Sequence, residues 1–465
     1  MKSSRPLVVA LVFLFGCGAR RLPLPPPTQP LSAHQPLPSA PPLSTEPLTL
    51  TLPRAESFTL PCGIEVHVVT RPDALVGGVA VLGAGGSLGD GSLVEDDVVL
   101  VDLLERALDA TIEIDGRGIF VHRSELAMST ITRAVRMVRA LHDAQFNERE
   151  VTRVVRARTE ERVVLRQPHI RASYFEHLSR LYGPNDARVI WNNPRRRLEV
   201  VETSRVNARL TRIMSPPHLT LVVVGAYETS FVQAALLSAT TSWGTADHAV
   251  PRRARAPIFP PAHPQAIGYG STGQMGRIAL LEGGPASFAP DHAAYRVAVR
   301  LLGGMYSSRP NAVFREERRE SYGARAAIDE EGGYSTLWFS MSVRNDQLDD
   351  ALSALTSELS RLGHVESLND SEVDRARTIE LASEMHRFDS AEGIARAILH
   401  ARAEGQTWSA YAARFEAIQR VTRDDVAIAA LTWIRPTDAP IIVIGEGTWI
   451  STHSLSAPGG YELAR

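Results

Sequence analysis

The sequence predicts an α+β fold in which one layered unit of helices on a sheet is used twice. Three observations carry this: a long-range internal repeat, matching helix stripes, and buried strands that end in glycine at the close of each half. Residues 201–206, Pro216 and 219–225 superimpose without a gap on residues 421–426, Pro436 and 439–445, an offset of 220. Earlier, Asn147-x-x-Glu150-Val151-x-Arg153 recurs as Asn369-x-x-Glu372-Val373-x-Arg375, an offset of 222. Two matches at nearly one offset are improbable by chance.

In chain order, Lys2 and Arg5 precede an apolar run from Leu7 to Phe15 and then Gly16-Cys17. The run is too short to span a bilayer, which needs about 20 residues, and reads as an export signal. Leu14-Phe15-Gly16-Cys17 resembles a bacterial lipoprotein box, with Cys17 as the acylated residue, so residues 1–17 are expected to be a lipoprotein signal peptide. Residues 18–53 hold eleven of the thirty prolines, all from Pro23 onward. Such a stretch is expected to be a disordered, extended tether of roughly 3 Å per residue. The first half (54–248) opens on a strand at 78–82, and the second (267–458) on one at 277–281. Between them, Pro251, Pro257, Pro260, Pro261 and Pro264 mark a linker at 249–266. Ile131, Val135, Val138 and Leu141 form one apolar helix stripe, as do Leu348, Leu352, Leu355 and Leu359. Each half closes with a helix, a proline stop and a buried strand. The two opening strands are offset by 199 rather than 220, so the first half has lost about 21 residues ahead of Asn147.

A formal net charge of -2 over 465 residues excludes a nucleic-acid binder that works by neutralising many phosphates. Two cysteines, Cys17 and Cys62, cannot build a disulfide framework or a cysteine-ligated zinc ribbon.

Beyond Pro53 the chain resembles the insulinase/pitrilysin family of metallopeptidases. The most specific stretch is Leu301-Leu-Gly-Gly304, Ser307-Ser-Arg309, Phe314-Arg315-Glu316-Glu317-Arg318 and Tyr322-Gly323; Tyr182-Gly183-Pro184 is similar to a landmark of the first half. The resemblance implies two homologous halves closing like a clam around an unfolded peptide. It also implies that Arg315 and Tyr322, seven apart, hold that peptide. Active members carry His-x-x-Glu-His on a helix of the first half, with a further glutamate downstream. Two imidazoles four apart reach one Zn²⁺, and the glutamate takes a proton from the bound water. Here the expected helix, 97–110, offers Asp102-Leu103-Leu104-Glu105-Arg106 at that place, and neither His-x-x-Glu-His nor His-Glu-x-x-His occurs among the fourteen histidines.

A guanidinium about 4 Å from a dication costs on the order of 8 kcal/mol at an effective dielectric near 20. Arg106 therefore cannot stand in for an imidazole. Asp102 with Glu105 and a distal Glu160 or Glu161 would make a poor zinc site. The simpler expectation is an i,i+4 ion pair of Asp102 with Arg106 on an exposed helix face. The resulting reading is a catalytically inactive peptidase homologue in the cell envelope, without a cofactor. It is lipid-anchored, facing the periplasm from the outer membrane, and binds unfolded peptide or pairs with an active metallopeptidase subunit. Two alternatives stay open: a divergent metalloendopeptidase using zinc, and an envelope scaffold or peptide-binding lipoprotein without a peptidase partner.

Overall fold

A computed structural model of the chain describes residues 48–85, 94–115, 117–164, 198–244, 267–271, 274–331, 333–435 and 441–452, with 175, 178, 179, 181–183, 186 and 189. Cys17, the proline-rich stretch up to residue 47 and the 249–266 linker lie outside the described residues. Among the described residues, no helix is long and apolar enough to cross a membrane.

The first half comprises β1 (Ala55–Thr59), β2 (Glu65–Thr70), β3 (Val76–Ala84), α1 (Val94–Leu108), β4 (Thr111–Asp115), β5 (Gly118–Leu126), α2 (Thr130–Asp143), α3 (Glu148–Val164), α4 (Thr203–Ile213), β6 (Leu219–Gly225) and α5 (Thr229–Thr240). The second comprises β7 (Ile267–Ser271), β8 (Met275–Ala286) and α6 (His292–Val299). Next come α7, running Arg309–Asn311 and continuing as a wider turn over Ala312–Glu317, β9 (Ser321–Glu331) and β10 (Tyr334–Arg344). Then follow α8 (Leu348–Leu362), α9 (Asp370–His386), α10 (Ala391–Ala403), α11 (Ala410–Arg420), α12 (Arg423–Ala429), β11 (Ile441–Glu446) and α13 (Gly447–Thr452).

The sheets run β1-β2-β6-β3-β5-β4 and β7-β11-β8-β10-β9. Apart from the extra edge strand β1, they share one order, and the parallel pair β2 with β6 recurs as β7 with β11. The repeat read from the sequence is thus a repeat of topology. Its Asn-x-x-Glu motifs are helix starts. Asn147 accepts from the Glu150 amide at 3.1 Å and donates its own amide to the Glu150 carboxylate at 2.8 Å. Asn369 and Glu372 form the same capping box at 2.8 and 3.0 Å. The stripes also face the core: Ile131, Val138 and Leu141 are buried on α2, as are Leu348, Leu355 and Leu359 on α8. The shortening has a structural form, since described helix between β3 and β4 is α1 alone, whereas α6 and α7 stand between β8 and β9.

Strand alternation sends successive side chains to opposite faces, and both faces of the first sheet are covered. Val79 and Val81 of β3 join the core beneath α1, α2 and α4. Ala80 and Leu82 point the other way, into a cluster with Ala391, Ile394, Ala395, Ile398 and Leu399 of α10. A helix of the second half therefore completes the first half's core. Burying each of Ile394, Ile398 and Leu399 stabilises this seam by about 1.5–3 kcal/mol. The approach is close: a Cβ on Gly78 would lie 2.6 Å from the Ala391 backbone, so only glycine fits.

The exchange is reciprocal. Leu178, Leu181, Tyr182 and Val189 of the first half pack on Leu281 and Trp338 of the second sheet. The Tyr182 hydroxyl meets the Thr336 hydroxyl at 2.5 Å. The helical residues up to Tyr182 and α10 are each followed by a left-handed glycine, Gly183 (φ +85°) and Gly405 (φ +69°), 222 residues apart. Residues 50–465 consequently form one compact unit.

Candidate functional site

α1 opens with Glu95, Asp96 and Asp97, acidic residues suited to a helix N-terminus. Two of them are fixed from α4. Arg209 Nε donates to Asp97 at 2.9 Å with both side chains buried, and Arg205 Nη2 donates to Asp96 at 3.0 Å. Asp102 is held in the same way, but from α3: Arg158 donates to it through Nε at 2.7 Å and Nη2 at 2.5 Å. This corrects the expected pairing of Asp102 with Arg106. α3 packs across α1, and a two-pronged guanidinium fork outcompetes a single contact along one helix. Asp102 is accordingly 12% exposed, while Glu105 and Arg106 stand in solvent. Glu160 and Glu161 lie on α3, with side chains outside the described residues.

Glu105 borders an open cleft of about 460 Å³ with Asp109, His122, Arg123, Ser124 and Glu392. His122 supplies the imidazole there, and a carboxylate stands beside each of its nitrogens. Nδ1 is hydrogen-bonded with Glu392, and Nε2 lies 3.3 Å from Glu113. Both belong to a charged seam between α10 and the first sheet. Glu392, Arg396 and His400, four apart on one edge of α10, are continued by Glu404 at its C-cap. Arg396 donates to Glu113 at 2.6 Å, and Glu404 accepts from Arg117 at 2.5 Å. Burial would raise Glu113, but the neighbouring His122 and His400 imidazoles and the Arg396 charge hold it well below the usual carboxylate range.

A second cavity, of about 640 Å³, lies between this seam and the second half, walled by Arg117, Arg396, Arg296, Glu330, Glu380 and Arg414 among others. Behind it, Arg296 pairs with Glu330 at 3.0 Å, Glu384 at 3.1 Å and also Glu380. Arg414 adds Glu330 at 3.0 Å, and Arg300 adds Glu380 at 2.6 Å. The network ties α6, α9, α11 and β9 together.

Closure of the halves around a peptide would turn Arg315 and Tyr322 toward the chamber between them; instead neither lines that cavity, and Tyr322 stands in solvent. Arg315 projects from α7 with its guanidinium carbon 4.0 Å from the centre of the Tyr306 ring, and Nε 3.4 Å from Glu316. Tyr322 opens β9 and is 95% exposed. The two share one support. Asn311, buried on α7, donates through Nδ2 to the carbonyls of Met305 at 3.3 Å and Ala324 at 3.2 Å, and accepts from the Ala324 amide at 2.6 Å. Gly303 lets this assembly close, since a Cβ there would meet the Ala326 amide at 2.6 Å.

Residues 205–380, from α4 to α9, match the family model described as the peptidase M16 inactive domain. The chain thus matches the M16 peptidase family over that segment. No curated protein matches it. Its fold is similar to that of a Helicobacter pylori protease, at 15% identity and a TM-score of 0.70, covering 85% of this chain and 100% of that one. It is also similar to an M16 inactive domain from Pseudomonas fluorescens (16%, TM-score 0.69, 84% and 98%). The Escherichia coli periplasmic protease PqqL (13%, TM-score 0.65) is covered over 52% of its length by 90% of this chain.

Active M16 members use zinc, and the residues present here do not fit it. Where the sequence reading set the two imidazoles, Asp102 is clamped by Arg158 and Arg106 is a solvent-exposed cation. Among the described residues, no group of three or more His, Cys, Asp or Glu side chains could hold a metal ion. Zinc-dependent hydrolysis therefore has no ligand set among the described residues. The sequence carried no sign of Arg158, one arginine among many. Tyr306 had a faint one, as the aromatic residue in an otherwise small Gly-Gly-Met-Tyr-Ser-Ser turn.

Proposed function

We propose that this M16 homologue is an exported, Cys17-anchored envelope protein that grips unfolded peptide, as the non-catalytic subunit of a two-chain clam with an active metallopeptidase. The observation that carries the reading is the contrast between its two inherited sites. At the metal position Asp102 is closed off by a guanidinium, whereas Tyr322 stands 95% exposed on a braced strand beside the helix that carries Arg315. A residue kept only for packing would not be held out in solvent by such a support. Facing outward, the pair is open to a second chain or to peptide lying between two chains.

Arg315 and Tyr322 donate to the carbonyls of an extended peptide. Losing one such contact costs about 1.5–3 kcal/mol, or roughly 10- to 150-fold in affinity. The test is peptide binding, and activation of a reconstituted partner, for Arg315→Ala and Tyr322→Phe. Full binding and full activation by both folded variants would place the grip elsewhere.

A further inference from the structure

We infer that Tyr306 is a positioning residue for this grip, holding the Arg315 guanidinium in its peptide-ready pose before peptide arrives; the inference rests on the grip proposed above. The 4.0 Å separation lies well inside the reach of about 6 Å for a cation over an aromatic face. Tyr306 is itself 67% exposed, so the ring is not held there by burial in the core. Exposed tyrosine beside arginine is the composition enriched where a few residues dominate binding.

An arginine in open solvent samples many rotamers and loses that freedom on binding. A ring face beneath the guanidinium narrows the sampling beforehand and leaves the N–H edge free to donate. The competing neighbour is Glu316, 3.4 Å from Nε and itself 61% exposed, and an exposed pair of this kind is weak. The ring therefore sets the pose. Its loop is fixed in turn, because Asn311 ties Met305, next to Tyr306, to Ala324, two residues beyond Tyr322. Arg315, half-buried, follows Asn311 by four residues on the same helix, so one buried amide indexes it together with the exposed Tyr306 and Tyr322.

The experiment measures binding of fluorescein-labelled, reduced and carboxymethylated α-lactalbumin to the full chain by anisotropy. Tyr306→Phe, Tyr306→Trp and Tyr306→Leu are compared, each with and without Arg315→Ala, with folding checked by circular dichroism. Tyr306→Leu should weaken binding about 2- to 5-fold. Tyr306→Phe should bind like the native chain and Tyr306→Trp at least as well, an order that follows the ring face rather than side-chain size. The Tyr306→Leu loss should vanish once Arg315 is alanine. The inference is overturned by a Tyr306→Leu protein that binds fully, by an equal loss in Tyr306→Phe, or by a loss that persists without Arg315. If Arg315→Ala itself binds fully, the grip falls and this role with it. If Arg315→Ala weakens binding but Tyr306→Leu does not, only the positioning role falls.

Discussion

Rebuilding the zinc motif tests how this chain lost metal binding. The double variant Asp102→His with Arg106→His restores His-x-x-Glu-His around Glu105, and it should still hold zinc poorly. Arg158 is the reason. Its Nε now lies 2.7 Å from the Asp102 carboxylate, and replacing that carboxylate leaves the guanidinium beside the new ligand. At about 5 Å from a dication, a unit positive charge costs roughly 7 kcal/mol at an effective dielectric near 20. Arg158 is 38% exposed, so screening and side-chain rotation reduce this to about 1.5–3 kcal/mol. Adding Arg158→Gln should therefore tighten zinc binding by roughly 10- to 150-fold over the double variant. Competition with a chromogenic chelator reads this out, with circular dichroism to establish folding. Equal zinc affinity with and without Arg158 would refute the reasoning. So would a native chain that binds one zinc and shows chelator-sensitive hydrolysis abolished by Glu105→Gln.

Three further outcomes are expected. Cys17→Ala should release the protein from membrane fractions and remove the acyl mass; undiminished sedimentation with no mass change would rule out an anchor there. Arg296→Met leaves Glu380 and Glu384, each 1% exposed, without their shared guanidinium, and should cost about 3–5 kcal/mol in urea unfolding; a loss below about 1 kcal/mol would show that Arg300, Arg387 and Arg414 suffice. Acid should loosen α10 from the first sheet. Glu65 is lowered from 4.5 to about 2, chiefly by its hydrogen bond with His67 and, against burial, by Arg402 of α10; Glu113 and Glu392 are lowered in the same seam. Because the folded values lie below the unfolded ones, the unfolded chain takes up protons first. The stabilisation is complete above about pH 4.5 and is lost as pH falls toward 2. The protection factor for hydrogen exchange at Ile394 to Leu399, that is the intrinsic rate at each pH relative to the observed one, should fall over that range and stay flat above it; a flat protection factor throughout would show that apolar packing alone holds the seam.

By itself the sequence determined what depends on local periodicity and short spacing. The apolar stripes of α2 and α8 follow the helical repeat, Asn147 and Asn369 cap helices through partners three residues away, and the strand-ending repeat near Gly225 and Gly445 exposed a doubled topology. The missing imidazoles were legible too, since a ligand pair four apart on one helix is a local pattern. Only the tertiary structure decided pairings across long separations. Asp102 had Arg106 within reach on its own helix, yet Arg158, 56 residues on, takes it because two packed helices align a fork with a carboxylate. Likewise α10 reads as an Ala-rich helix belonging to the second half, and nothing local says that it seals the first half's sheet through Gly78. Tyr306, Arg315 and Tyr322 become one group only because Asn311 bonds two segments that diverge in sequence. Side-chain charge and shape name no partner, because any of many arginines satisfies a carboxylate equally well until packing brings one of them within 3 Å.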